Sequence, residues 1–122
     1  KLSVSTGDYF GATARTGYSG GTRGTLYHDL SASVPLAEGL TLALHLGHTD
    51  VKAGYGNTNP DYSDYRVALA KTFEGGWNLS AAAVAAGNDR FFQPPVGGLS
   101  AANGDTRELN KPVLVLQVGR SF

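Results

Sequence analysis

Leu40, Leu42, Leu44 and Leu46 alternate with Thr41, Ala43, His45 and Gly47. A period of two puts the leucines on one face of a β-strand and the small and polar residues on the other. The same period recurs along the chain. From about Thr25 to Val34, Leu26, Leu30, Ala32 and Val34 share a side with His28, and Tyr27, Asp29, Ser31 and Ser33 lie opposite. From Asp64 to Phe73, the residues Tyr65, Val67, Leu69 and Phe73 oppose Asp64, Arg66, Ala68, Ala70 and Thr72. Lys71 falls on the apolar side, where its stem can snorkel. A strand from Trp77 to about Gly87 carries Trp77, Leu79, Ala81, Ala83 and Ala85 on one face. The last stretch, Lys111 to Phe122, sets Leu114, Leu116, Val118 and Phe122 against Gln117, Gly119 and Ser121, with Arg120 as the exception on the apolar side. Leu2 to Phe10 reads as a weaker strand, bounded by Gly7 to Phe10.

The connections between these strands alternate in length. Gly11 to Gly24 is a glycine-rich stretch read as a flexible loop, Pro35 to Gly39 a short turn, Asp50 to Ser63 a longer loop, Glu74 to Gly76 a tight turn, and Asn88 to Asn110 a long loop. Outer-membrane β-barrels have this asymmetry, with tight periplasmic turns and long outer loops. The closing strand resembles the C-terminal assembly signal of such barrels in Gln117, Gly119 and the terminal Phe122. It departs from the fuller signal where Arg120 or Ser121 stands. Tyr65 and Phe73 bracket an apolar band whose eight steps of about 3.3 Å, tilted near 45°, rise roughly 19 Å along a membrane normal. No apolar run reaches the length of a membrane helix, so a membrane role falls to strands. The pattern predicts an all-β fold: an antiparallel transmembrane β-barrel with about six strands in this chain, residues 1–122 being one barrel domain or the C-terminal half of one.

Composition narrows the reading. Ten basic and ten acidic residues balance, so no nucleic-acid or anionic-surface partner is expected. The absence of cysteine excludes disulfides and thiolate metal sites and suits periplasmic transit. Without an initiator methionine or signal peptide, residue 1 reads as a processing site or a fragment boundary.

Candidate chemistry is sparse. His45 and His48 lie three apart on a strand and point to opposite faces, and His28 belongs to another strand, so no metal site is expected. Asn57, Asn59 and Asp61 imitate half a calcium loop, but Tyr62 and Ala68 stand where glycine and the bidentate glutamate belong. His28 and Asp29 are neighbours that point apart, and no G-x-S-x-G elbow occurs, so a hydrolytic triad is not expected. The glycines from 17 to 24 lack the G-K-[ST] of a phosphate loop. The chain is read as a non-enzyme without a cofactor.

Three stretches carry a family resemblance: L-Y-H-D-L-S-A-S-V-P-L-A-E-G-L-T-L-A-L-H-L-G-H at 26–48, D-Y-S-D-Y-R-V-A-L-A-K-T-F at 61–73, and V-L-V-L-Q-V-G-R-S-F at 113–122. They resemble the C-terminal half of the TorF-type porin family of Gram-negative outer membranes. The resemblance implies an outer-membrane location and a chain about half the family's length.

The expected function is passive passage of small solutes through an outer-membrane barrel. Tyr27, Asp29, Ser31, Thr41, His45, Asp64, Arg66 and Thr72 are the candidate pore-lining residues; Tyr65, Phe73, Trp77 and Phe122 are the candidate aromatics of the membrane interface. The expected partners are the bilayer, the barrel assembly machinery, small solutes, and either an N-terminal half or further copies to close the barrel. A structural or adhesive barrel with a filled interior is the main alternative, and a soluble ligand-binding β-protein is the third.

Overall fold

The computed structural model describes residues 1–88, 91, 99–100, 106–107 and 110–121. Its strands are β1 (Leu2–Val4), β2 (Leu26–Ala37), β3 (Leu40–Asp50), β4 (Tyr62–Thr72), β5 (Trp77–Ala86), β6 (Leu99–Ser100), β7 (Thr106–Arg107) and β8 (Val113–Arg120). Six of them form one sheet in the order β1-β2-β3-β4-β5-β8, with every neighbouring pair antiparallel. The sheet is open, with β1 and β8 at its two edges. The β6–β7 pair is a separate hairpin inside what the sequence reads as the loop from Asn88 to Asn110. The rest of that loop lies outside the described residues, as does Phe122.

Register makes the alternation two-dimensional. One face carries the row Val34, Leu42, Leu69, Ala81, Leu116 and the row Ala32, Leu44, Val67, Ala83, Leu114. The other carries Ser31, His45, Arg66, Val84, Val113 and, one row on, Ser33, Ala43, Ala68, Ala82, Val115. The large apolar residues are the exposed ones: Leu30, Leu114 and Leu116 are each 70% exposed. Burial falls instead on small residues of the second face, Ala68, Ala82 and Thr49, and on Ala12, Thr22, Thr25 and Ala53 in the connections. Among the described residues, the largest side chains that are fully buried are threonines.

Several boundaries differ from the sequence reading. Pro35 lies inside β2, not in the turn, which shrinks to Glu38 and Gly39. The backbone N–H of Asp29 points away from β3, toward Lys1, and amide direction alternates along a strand. The missing N–H of Pro35 therefore falls on the open edge of β2, where a proline is tolerated, and a register shift between Pro35 and Ala37 follows it. β1 ends at Val4 and does not reach Phe10, because the chain turns off the sheet to form 3-10 turns at Tyr9–Gly11 and Ala14–Thr16.

The stretch read as flexible, Gly11 to Gly24, is pinned. The Thr22 hydroxyl donates to the Ala12 carbonyl at 2.6 Å and accepts from the Tyr9 N–H at 2.8 Å, while the Thr22 N–H donates to Asp8 Oδ1 at 2.9 Å. A buried threonine thus supplies the backbone partners that a loop of glycines lacks. At the opposite end of the sheet, Gly76 adopts φ 79°, and a Cβ there would strike the Ser121 carbonyl, so this turn excludes other residues.

The described parts of the long connections lie at the same end of the sheet and pack on one another. Ser19 N–H donates to Gly54 O at 2.8 Å, Tyr9 and Tyr62 hydroxyls lie 3.0 Å apart, and the Asn88 amide donates to the Asn59 and Asp61 carbonyls. They form a cap over that end.

Candidate functional site

The small and polar face of β2, β3 and β4 holds the densest side-chain network of the described residues. In the β2–β3–β4 register, Asp29, Gly47 and Asp64 form one cross-strand row and Ser31, His45 and Arg66 the next. His45 sits between two carboxylates. Its Nε2 is 2.8 Å from Asp64 Oδ1, and its Nδ1 is 3.4 Å from Asp29 Oδ1 and 3.0 Å from Ser31 Oγ. Ser31 donates its one proton to Asp29 Oδ1 at 2.6 Å, so at the imidazole contact the serine accepts. The Asp64 carboxylate can only accept, so at that contact His45 Nε2 donates.

Tyr27 reaches the same cluster from one row away, donating to both Asp64 oxygens at 3.2 Å. Gly47 makes that reach possible. A Cβ at Gly47 would overlap both the Asp64 carboxylate and the Tyr27 hydroxyl, so the glycine in mid-strand is the space in which the two side chains meet. Sequence reading passed over Gly47 as an ordinary small residue of the polar face. Its signal was an isolated glycine interrupting a regular strand alternation.

Five of the eight candidate pore-lining residues, Tyr27, Asp29, Ser31, His45 and Asp64, are therefore brought into one network. Arg66 lies on the same face beside His45, exposed, and makes no ion pair with a described residue. Thr41 and Thr72 sit on that face toward the short turns, with the Thr72 hydroxyl donating to Asn78 Oδ1 at 2.9 Å. A groove of about 640 Å³ runs beside the network, with Ser31, Ser33, His45, Asp64 and Arg66 among its walls.

The network contains a Ser–His–Asp sequence of contacts that the chain order did not reveal. Its geometry does not activate the serine, because the proton a base would remove is already held by Asp29. Among the described residues, no group of three or more His, Asp or Glu side chains, this network included, is arranged so that it could hold a metal ion. His28 and His48 pair across β2 and β3 on the apolar face, their ring centroids 6.5 Å apart. The Asp61 carboxylate of the calcium-like segment is engaged by the Val51 N–H at 2.6 Å and the Asn59 amide at 2.8 Å.

On the apolar face, Tyr65, Phe73 and Trp77 are about half exposed. Phe73 and Trp77 close the β4–β5 turn through a 2.8 Å backbone hydrogen bond. The two basic exceptions to this face are both turned toward its short-turn end. Lys71 Nζ donates to the Glu38 carbonyl at 2.6 Å, and the Arg120 guanidinium lies 5.2 Å from the Trp77 ring centre while its Nε donates to Gly75 O.

Fold and site together define an all-β protein whose six-stranded antiparallel sheet has one apolar, exposed face and one small-residue and polar face. Residues 2–122 match the family model described as "Bacterial protein of unknown function (Gcw_chp)", and the chain belongs to that family. This corrects the TorF-type resemblance: the model that spans the chain is a different one, and its description assigns no transport role. No curated protein and no solved structure matches the chain.

Proposed function

We propose that this sheet is part of an outer-membrane β-barrel with a porin-like role, allowing small solutes to pass along its polar face. One observation carries the reading: large apolar side chains cover the exposed face, while the residues buried in the sheet are small or polar. A soluble sheet hides its leucines and valines, whereas a barrel wall turns them to lipid and keeps polar groups for its interior. Among the described residues no helix is long and apolar enough to cross a membrane, so strands would carry the span. In lipid, the open edges would leave amides and carbonyls unsatisfied at a cost of several kcal/mol each, so the working form has partner strands on both edges. Six strands are also fewer than the roughly eight of the smallest membrane barrels.

The mixed signs of Asp29, His45, Asp64 and Arg66 favour weak ion selectivity, since a strongly selective ring carries one sign. The test is conductance of the purified protein in planar bilayers. Discrete, voltage-independent steps support the channel. The network itself favours a second reading, a barrel with a filled interior and a structural or adhesive role, because Tyr27, Ser31, His45 and Asp64 bond to one another and not to open space. Heat-modifiable insertion without any conductance selects that second reading. A protein that stays monodisperse without detergent or lipid defeats both.

A further inference from the structure

His28 and His48 face each other across β2 and β3, in a row that runs Leu2, His28, His48, Ser63 from β1 to β4. We propose that this histidine pair chelates a divalent transition-metal ion of the copper, nickel and zinc class. Along the chain the two residues belong to separate strands, which hides the pairing; the register makes them direct cross-strand partners. Directly opposed side chains start from Cβ atoms about 4.5–5.5 Å apart, a spacing from which two imidazoles can close on an ion at about 2.0–2.1 Å from each nitrogen. The ring centroids stand 6.5 Å apart with their planes tilted by 37°. Both side chains are exposed, so a small rotation about their χ angles brings the nitrogens to the ion.

The hydrogen bonding around the pair favours an ion. His48 Nδ1 lies 2.9 Å from Ser63 Oγ, and a serine that accepts Nδ1–H leaves the Nε2 lone pair free, the arrangement that orients metal-binding histidines. His28 makes no hydrogen bond with a described residue, so its nitrogens are not committed elsewhere. His45 is the contrast, with Ser31 and Asp64 already at its two ring nitrogens. Asp50, the next residue of β3 on the same face, is not arranged with the pair as a third ligand, but its charge favours a cation nearby.

The donors set the class of ion. Two neutral imidazoles, with no thiolate and no ring of oxygens, suit Cu2+ most strongly, then Ni2+ and Zn2+, and offer Mg2+ and Ca2+ nothing they prefer. The other coordination positions are left to water or to a donor atom of another molecule. The histidine row lies one same-face step from Tyr65 toward the long connections. In the barrel reading that is the aqueous side of an interface aromatic, where a dissolved ion has access. The inference stands without that reading, because it uses the β2–β3 register and the exposure of the two rings.

The test uses the untagged chain in lipid nanodiscs, with Cu2+–iminodiacetate as the probe. The chelator leaves only neighbouring positions open on the ion, so tight binding needs two adjacent nitrogens. Pulsed EPR should show an ion carrying two imidazoles, displaced by excess Zn2+ and not by excess Mg2+. His28→Ala and His48→Ala should each weaken binding about 100-fold and leave a single imidazole in the spectrum, because a chelate loses its effective-concentration gain with either arm. Ser63→Ala should weaken binding about 10-fold with both imidazoles kept, the split expected of a group that only orients His48. If a histidine variant does not fold, the spectrum of the parent protein decides. A one-imidazole spectrum in the parent, an unchanged affinity in either histidine variant, or displacement by Mg2+ overturns the proposal.

Discussion

The two faces of one sheet solve opposite problems with the same backbone. On one, Leu44, Val67 and Leu114 stand side by side across the strands and remain exposed; on the other, one residue away along each strand, His45, Arg66 and Ser31 meet as a polar row. On the proposed barrel wall, the apolar face would require only bulk hydrophobicity at each position. The polar face depends on identity and register: Tyr27, Asp64 and Gly47 work only together. Tolerance should therefore differ sharply between faces, in a direction set by the chemistry of the substitution.

The largest effect should come from placing a charge on the apolar face. If the sheet is the proposed barrel wall, Leu44→Lys should lower unfolding free energy in lipid vesicles by about 2–4 kcal/mol and reduce membrane insertion, the cost of a lysine near a bilayer midplane. Ser33→Lys, one row away on the opposite face, should cost far less. Equal losses by denaturant titration in the two variants would mean that the faces are not differently solvated.

Next in size is a methyl group at a position that needs none. Gly47→Ala should cost about 1–3 kcal/mol by forcing Tyr27 and Asp64 apart. Gly119→Ala, on the same face with nothing within 4 Å of its new methyl, should stay within about 0.5 kcal/mol of the parent. Thermal unfolding of the pair separates a steric requirement at Gly47 from a general dislike of alanine in these strands.

Removing single charges probes the proposed interior. Asp64→Asn should shift bilayer reversal potential toward anions and Arg66→Gln toward cations, each modestly because the face carries both signs. A potential unmoved by both variants, with conductance intact, would place these residues away from the permeation path.

The smallest effect concerns the cap. Tyr9 ionises near 12 in the folded protein against an ordinary value near 10, so the folded state prefers the neutral phenol. Its contribution to cap stability is complete below pH 10 and is lost as pH rises from about 10 to 12. Absorbance titration at alkaline pH should show a component near 12 that shrinks by one tyrosine's amplitude in Tyr9→Phe.

Much of this fold was legible as a sequence. Alternation placed Tyr27, Asp29, Ser31, His45 and Asp64 on one face, separated His45 from His48, and set the short turns at one end of the strands. It misjudged Pro35 because open-edge status depends on how far the neighbouring strand extends. It misjudged the Gly11 to Gly24 stretch because the bonds of Thr22 reach residues 10 and 13 positions away.

The amino-acid order by itself determined the strands, their two faces and the inversion of large apolar against small polar positions, since a period of two is a local property of an extended chain. Tertiary structure alone decided which polar residues touch. Asp29 and Asp64 are 35 positions apart in the chain, and they flank one imidazole only because β2, β3 and β4 pair in a single register. A slip of one residue would have turned His45 to the opposite face. A cavity of about 520 Å³ at the long-connection end has the same origin: Tyr18, Tyr62 and Phe91 share no pattern along the chain, and only the tertiary fold brings their rings to its walls.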